Sequence, residues 1–299
     1  MWLILAFISA ILLGSYEVFK KVSLEKNAVI PVILVSILFS CLIVAPFLLI
    51  SEFFPDLLKS GIFFVPRVDF HTHLLFVLKA VIVLTSWLFA YFALKHLPIS
   101  LASPIKATQP VWTVIGAMLI FGEKLNSFQA AGVGLTIISF FMFSVVGKKE
   151  GISFKTNKWF WFIIMATLTG ALSGLYDKYL LNKFNPMSVQ VYYTFYQAII
   201  MGIITLFLWA PTREKTTPFK FKWAIAFISL FLVIADFVYF YALSLPGSMI
   251  SVVSIIRRSG VIVPFLYGAI ILHDKNMKLK IVDLIGVLIG MFLLYLGSK

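Results

Sequence analysis

Charge is scarce in this chain, and negative charge scarcest: 12 Asp and Glu among 299 residues, beside 25 Lys and Arg. A soluble domain of this length has about a quarter of its residues charged. At 12% charged, 61% hydrophobic and 16% aromatic, the sequence has no such coat. A water-soluble fold is excluded, and a polytopic, all-α membrane protein is what remains. Cysteine is nearly absent too. Cys41 stands alone inside an apolar run, which excludes an intrachain disulfide and a thiolate metal site. The four histidines, His71, His73, His96 and His273, are scattered among connectors. Only His71 and His73 have ligand-like spacing, on a loop without further donors, so no metal site is expected. No nucleophile motif or phosphate-cradling glycine loop stands out. No catalytic residue, no cofactor and no ATP site is therefore expected, and any pumping must draw on a gradient.

What the chain does have is apolar runs and basic connectors. A net charge of +13 would suggest nucleic acid in a soluble protein. Here the lysines sit mostly in short connectors, where anionic headgroups and the positive-inside rule place them. The expected partner is membrane lipid, not nucleic acid. The opening MWLILAFISAILLGSYEVFKK lacks a basic leader and carries Glu17 where a cleavage site would fall. It reads as a retained first span rather than a signal peptide.

A helix needs about 20 apolar residues to cross the hydrocarbon, and ten runs qualify. They are Trp2–Phe19, Val29–Ile50, Leu74–Leu94, Ile99–Phe121, Phe128–Val146, Trp159–Leu181, Ser188–Ala210, Trp223–Leu243, Ser248–Leu272 and Ile281–Leu296. The runs are continuous rather than alternating, so helices are expected. The one long connector, residues 51–73, mixes aromatics with charges and is expected to lie along the interface.

The two halves of the chain repeat one another. GlySerTyrGluValPhe (14–19) corresponds to GlyLeuTyrAspLysTyr (174–179). TyrPheAlaLeuLysHisLeuProIleSer (91–100) corresponds to PheTyrAlaLeuSerLeuProGlySer (240–248), and PheGlyGluLys (121–124) to LeuHisAspLys (272–275). The landmarks fall in the same order in both halves. Five spans per half would set the second half upside down relative to the first. Residues 1–147 and 158–299 then form two inverted repeats around a central cavity, as in secondary transporters.

On these residues the chain resembles the EamA family of the drug/metabolite transporter superfamily. The likeness is strongest over YFALKHLPISLASPIKATQPVWTVIGAMLIFGEKLNSFQAAGVGL (91–135). That segment has the family's order of a Tyr-Ala-Leu-like helix end, a Pro-x-Ser start, a mid-span proline and a Glu-Lys exit. In the second copy Arg258 and Ser259 stand around the place of that proline, Pro264 comes later, and Asp274 replaces the glutamate. The resemblance implies ten helices, a central cavity and transport of a small metabolite, without naming it.

Against this background the buried charges are the candidate site. Arg257 and Arg258 lie about ten residues into their span, where each guanidinium costs at least about 2.5 kcal/mol in lipid. In helical geometry Gly247, Ser251, Ser254 and Arg258 form one polar stripe, with Arg257 beside it. Ser103, Lys106 and Gln109 form its counterpart in the first half. Pro104 and Pro110 flank Lys106 and free backbone carbonyls that only a wet cavity tolerates. Arg257, Arg258 and Lys106 are thus candidates to hold an anionic group on the substrate, since guanidinium binds carboxylate or phosphate bidentately. The alternative is that an arginine pairs with an acid on a neighbouring helix. Asp236 is the best placed partner.

Glu17 and Asp177 occupy matching positions after Tyr16 and Tyr176 and are candidates for proton coupling, or for pairing with Lys20 or Lys178. Glu17 resembles the acidic residue that small multidrug pumps of the superfamily carry in their first helix. Lys79 is close enough to a span end to snorkel to the headgroups, and Asp283 reads as structural. Trp87, Tyr91, Tyr239, Tyr241, Tyr193 and Tyr196 are candidate cavity walls, with Gln190 and Gln197 nearby. The expected substrate-binding set is Arg257, Arg258, Lys106, Gln109, Ser254, Trp87, Tyr239 and Asp236. Gly132–Gly134 and Gly286–Gly290 read as close helix packing in the fifth and tenth spans.

The expected function is secondary transport of a small polar metabolite, such as an amino acid or organic anion, exported or exchanged by alternating access, with protons as the coupling ion. Carriage of a phosphate-bearing or lipid-linked compound, or intramembrane lipid modification, is the alternative. A multi-pass protein of the plasma membrane, monomeric or weakly dimeric, is expected. Most Lys and Arg follow odd-numbered spans, which favours both termini outside; the resemblance favours both inside.

Overall fold

In a computed structural model, residues 2–59, 61–121, 126–149, 156–245 and 250–297 are described, and nearly all lie in helices. The first half comprises α1 (Trp2–Leu24), α2 (Val29–Phe53), α3 (Phe70–His96), α4 (Ile99–Ala107), α5 (Gln109–Phe121) and α6 (Ser127–Lys149). The second comprises α7 (Lys158–Leu181), α8 (Pro186–Ile204), α9 (Ala224–Ser244), α10 (Ile250–Ser259), α11 (Ile262–Ile270) and α12 (Met277–Gly297). Seven helices among the described residues are long and apolar enough to cross a membrane: α1, α2, α3, α7, α8 with its continuation, α9 and α12.

Two of the expected continuous spans are in fact broken. Ile99–Phe121 divides at Thr108 into α4 and α5, between Pro104 and Pro110. The Thr108 hydroxyl donates to the Ile105 carbonyl at 2.7 Å, and Pro110 has no N–H to continue the ladder. The run from Ser248 divides at Gly260–Val261 into α10 and α11. Hydropathy gave no sign of this second break; its cause is packing. The break is crossed by α1 so closely that a methyl group on Gly260 would stand 2.0 Å from the Ala10 carbonyl oxygen. A methyl on Gly14 would stand 2.5 Å from the Gly260 oxygen. Past Ile204, α8 loosens into a π turn, Thr205–Trp209, and then a 3-10 turn, Ala210–Lys215.

The principal pairings join one half to the other. α1 packs on α9 and α3 on α7, which exchange when the halves are exchanged; α2 packs on α8 and α6 on α12. The α6–α12 seam is built on small residues, as expected. Methyl groups on Gly132, Gly286 and Gly290 would meet the Gly290 oxygen at 2.7 Å, Ser139 Oγ at 2.1 Å and Thr136 Oγ1 at 2.1 Å. Gly134 takes no part, with nothing within 4 Å. At one end of the bundle the halves are tied by Asp274, whose carboxylate accepts from both the N–H and the hydroxyl of Ser100 at the start of α4. Lys280 of α12 donates to the same hydroxyl oxygen at 3.0 Å. The 51–73 connector presents Phe53, Phe54, Leu57, Ile62 and Phe70 outward, and Arg67 pairs with Glu52.

Candidate functional site

Between the halves lies a cavity of about 1030 Å³, its open mouth included, at the upper end of the usual range for ligand sites. A smaller side pocket of about 320 Å³ opens where α1, α4 and the α10–α11 break meet. Lys106, Arg257 and Arg258 line both. The sequence-predicted cations therefore converge on one hollow.

The two adjacent arginines part company there. Arg257 forms an ion pair with Asp236, as expected from their depth. Its Nε donates to Ser9 Oγ at 3.2 Å, Ser9 donates onward to the Ala235 carbonyl at 2.8 Å, and the guanidinium lies 4.1 Å over the Tyr239 ring. Asp236 also accepts from the Tyr193 hydroxyl at 3.0 Å. This guanidinium is fixed on several sides. Arg258, about 100° round the helix, has no carboxylate within ion-pairing distance among the described residues.

Glu17 pairs with Lys20, one of its two expected alternatives, at 2.5 Å, and also with Lys106 at 2.6 Å. Lys20 is 1% exposed and lies 4.6 and 5.0 Å over the rings of Tyr16 and Tyr91. Asp177 pairs not with Lys178 but with Lys79. Lys79 was expected to snorkel. It is instead 2% exposed, with its ammonium 4.7 and 5.3 Å over Tyr193 and Phe240. Each repeat-related carboxylate thus meets a lysine held over two aromatic rings, a favourable setting for a desolvated ammonium. Lys178 lines the cavity but is exposed.

Gln109 bridges the halves: its amide nitrogen donates to the Gly170 carbonyl at 2.8 Å, while its oxygen is buried without a partner among the described residues. Trp87, Tyr239 and Tyr193 line the cavity, with Tyr16 and Phe240 added. Tyr91 stands behind Lys20. Tyr196 is bonded to His73 at 2.9 Å, and Tyr241 stacks on Phe237. Gln190 donates to the Val233 carbonyl at 2.8 Å, and Gln197 is buried. Gly247 and the side chains of Ser251 and Ser254 lie outside the described residues. Lys20 was expected only as a partner for Glu17, and Lys79 only near the headgroups; nothing local marked Lys79 as a buried site cation.

The arrangement gathers ionised groups, aromatic faces and a hollow at the meeting of two similar halves, with two broken helices bordering it. It can bind a polar solute and release it if the halves rock. The EamA-like transporter family matches residues 1–145 and 157–296. No curated protein matches the chain at a significant level. Among solved structures, 28 chains match. One, titled only as the crystal structure of a protein, covers 98% of this chain and 96% of its own at a TM-score of 0.65 and 13% identity, a likeness of fold alone. With both halves matched, the chain belongs to the EamA-like transporter family and is an integral, multi-pass membrane transporter of the drug/metabolite superfamily.

Proposed function

We propose that the chain is a secondary active transporter of the plasma membrane that exports or exchanges a small polar metabolite bearing an anionic group. Ten spans in two inverted five-helix repeats alternate access to the cavity. One observation carries the anionic reading: among the described residues Arg258 lines the cavity and its side pocket without a carboxylate partner, while Glu17, Asp177 and Asp236 are each engaged by another cation. A desolvated guanidinium left without a counter-ion is costly, and a substrate anion offsets that cost during each transport cycle. Lys106 stands beside it, shared between the substrate and Glu17. Trp87, Tyr239 and Tyr193 supply the wall. Protons are the coupling ion, exchanged at Glu17 or Asp177 when their lysines turn to substrate.

The test is thermal stabilisation of the purified full-length protein by a panel of anionic, neutral and cationic metabolites, repeated with Arg258→Ala, Arg257→Ala and Lys106→Ala. Stabilisation by anions that disappears with Arg258→Ala supports the reading. Stabilising compounds that act unchanged on all three variants would overturn it.

A further inference from the structure

Taken as formal charges, the buried groups around the cavity do not balance. Glu17, Asp177 and Asp236 are the carboxylates that line the cavity and its side pockets among the described residues. The buried or half-buried cations there are Lys20, Lys79 and Lys106 with the two arginines. Lys79 cancels Asp177, and Arg257 cancels Asp236. Glu17 is shared by two ammonium groups, at 2.5 and 2.6 Å, and can neutralise one of them. Counted with both lysines ionised, one positive charge is left over at that trio and a second on Arg258.

We infer that the transported solute is a small dianion, bound with one charge on Arg258 and the other on the Lys106 side of the Glu17 trio. This deepens, and rests on, the reading of the cavity as an anion-transport site. Arg258 and Lys106 line the same side pocket, so both surplus charges border one space. A monoanion there leaves one positive charge unmatched in a poorly solvated site; a dianion matches both, and like charges nearby otherwise repel. The groups also differ in what they ask of the ligand. Guanidinium offers a planar fork of donors to a carboxylate or phosphate, whereas ammonium acts as a point charge. The remaining wall of the side pocket includes Gly14 and Gly260, which have no side chains, and Leu13, Val261 and Pro264. Beyond Glu17, that wall offers no carboxylate among the described residues to repel an acidic group. The shared chemistry is two negative charges on a small frame, which a dicarboxylate or a phosphate monoester supplies.

The experiment compares ligands matched in size and differing in charge, using the purified full-length protein at pH 7.5 and constant ionic strength. One arm sets succinate against butyrate; the other sets glycerol 3-phosphate against its monoanionic phosphate methyl ester. Thermal stabilisation and uptake into proteoliposomes are measured in both. The expected result is stabilisation and uptake of the dianion in at least one arm, with affinity at least about tenfold above its monoanionic partner; the responding arm identifies the acid. Arg258→Gln and Lys106→Gln each remove one surplus charge, so each should weaken the dianion most and erase its advantage over the monoanion. Monodisperse elution of each variant guards against misfolding. If monoanions stabilise the wild type as well as dianions do, the dianion inference fails while the anionic reading stands. If no acid in either arm stabilises or enters, both fail.

Discussion

Arg257 and Arg258 are consecutive, yet among the described residues only Arg257 meets a carboxylate, Asp236. About 100° of helix rotation separates a cation paired with a carboxylate from one proposed to meet the substrate, and variants of the pair should tell them apart. Removing Asp236 alone strands a guanidinium already committed to Ser9 and Tyr239. Breaking a buried pair from one side costs about 3–5 kcal/mol, so Asp236→Asn should markedly lower the thermal midpoint. The double variant Asp236→Asn with Arg257→Gln, which removes both charges, should recover much of that loss. Arg258→Gln should leave the midpoint nearly unchanged or raise it. Equal destabilisation by Arg258→Gln would mean that this side chain has a structural partner.

Proton coupling at Glu17 or Asp177 makes a separate forecast. Glu17→Gln or Asp177→Asn should flatten the pH dependence of gradient-driven uptake, while substrate exchange without a gradient continues. Retained exchange distinguishes a lost proton step from a collapsed site, a necessary control because Lys20 and Lys79 would each lose a buried counter-charge. An unaltered pH profile in both variants would remove these carboxylates from the coupling step.

The α1 crossing at the α10–α11 break yields a third comparison. Gly260→Ala places a methyl 2.0 Å from a backbone oxygen of α1, a contact that only separation of the helices relieves. It should reduce both stability and transport. Gly134→Ala, in the middle of α6 with nothing within 4 Å, should be neutral or stabilising by about 0.5–1 kcal/mol, the usual helix advantage of alanine over glycine. The pair is read by fluorescence-detected gel filtration after a heating series. A tolerated Gly260→Ala would show that the crossing has slack.

The distribution of what the sequence revealed follows from how far each signal reaches along the chain. Two guanidinium groups within an apolar run are conspicuous because hydrocarbon tolerates so few, and the matched Tyr16-Glu17 and Tyr176-Asp177 needed only the repeat. The Asp236–Arg257 pair was within reach because depth along two helices limits partners. Lys20 was legible as a partner of Glu17 from its spacing, one turn further along α1. Lys79 was hidden by distance: its partner lies 98 residues away, and only the crossing of α3 on α7 brings them together. The break at Gly260 was not legible along the chain, since the close approach that accompanies it comes from α1, at the far end of the sequence.

Asp283 is the sharpest case of a residue whose role sequence reading left bland. It is 1% exposed in α12, and neither carboxylate oxygen has a hydrogen-bond partner among the described residues. Lys280, one turn earlier, donates instead to Ser100 beside Asp274. A buried polar group without a partner costs about 1–3 kcal/mol, and more when charged. Asp283→Leu removes that cost while keeping the side chain's approximate reach into the seam, so the protein should gain thermal stability. If the carboxyl serves only packing, transport by Asp283→Leu should remain at the wild-type rate. A stabilised but inactive variant would instead make Asp283 part of the transport cycle, with Lys280 as its natural partner once the Ser100–Asp274 tie opens. A destabilised variant would mean that the carboxyl is satisfied in the native membrane, by water or by an ion, and measurement of thermal midpoint together with uptake separates these outcomes.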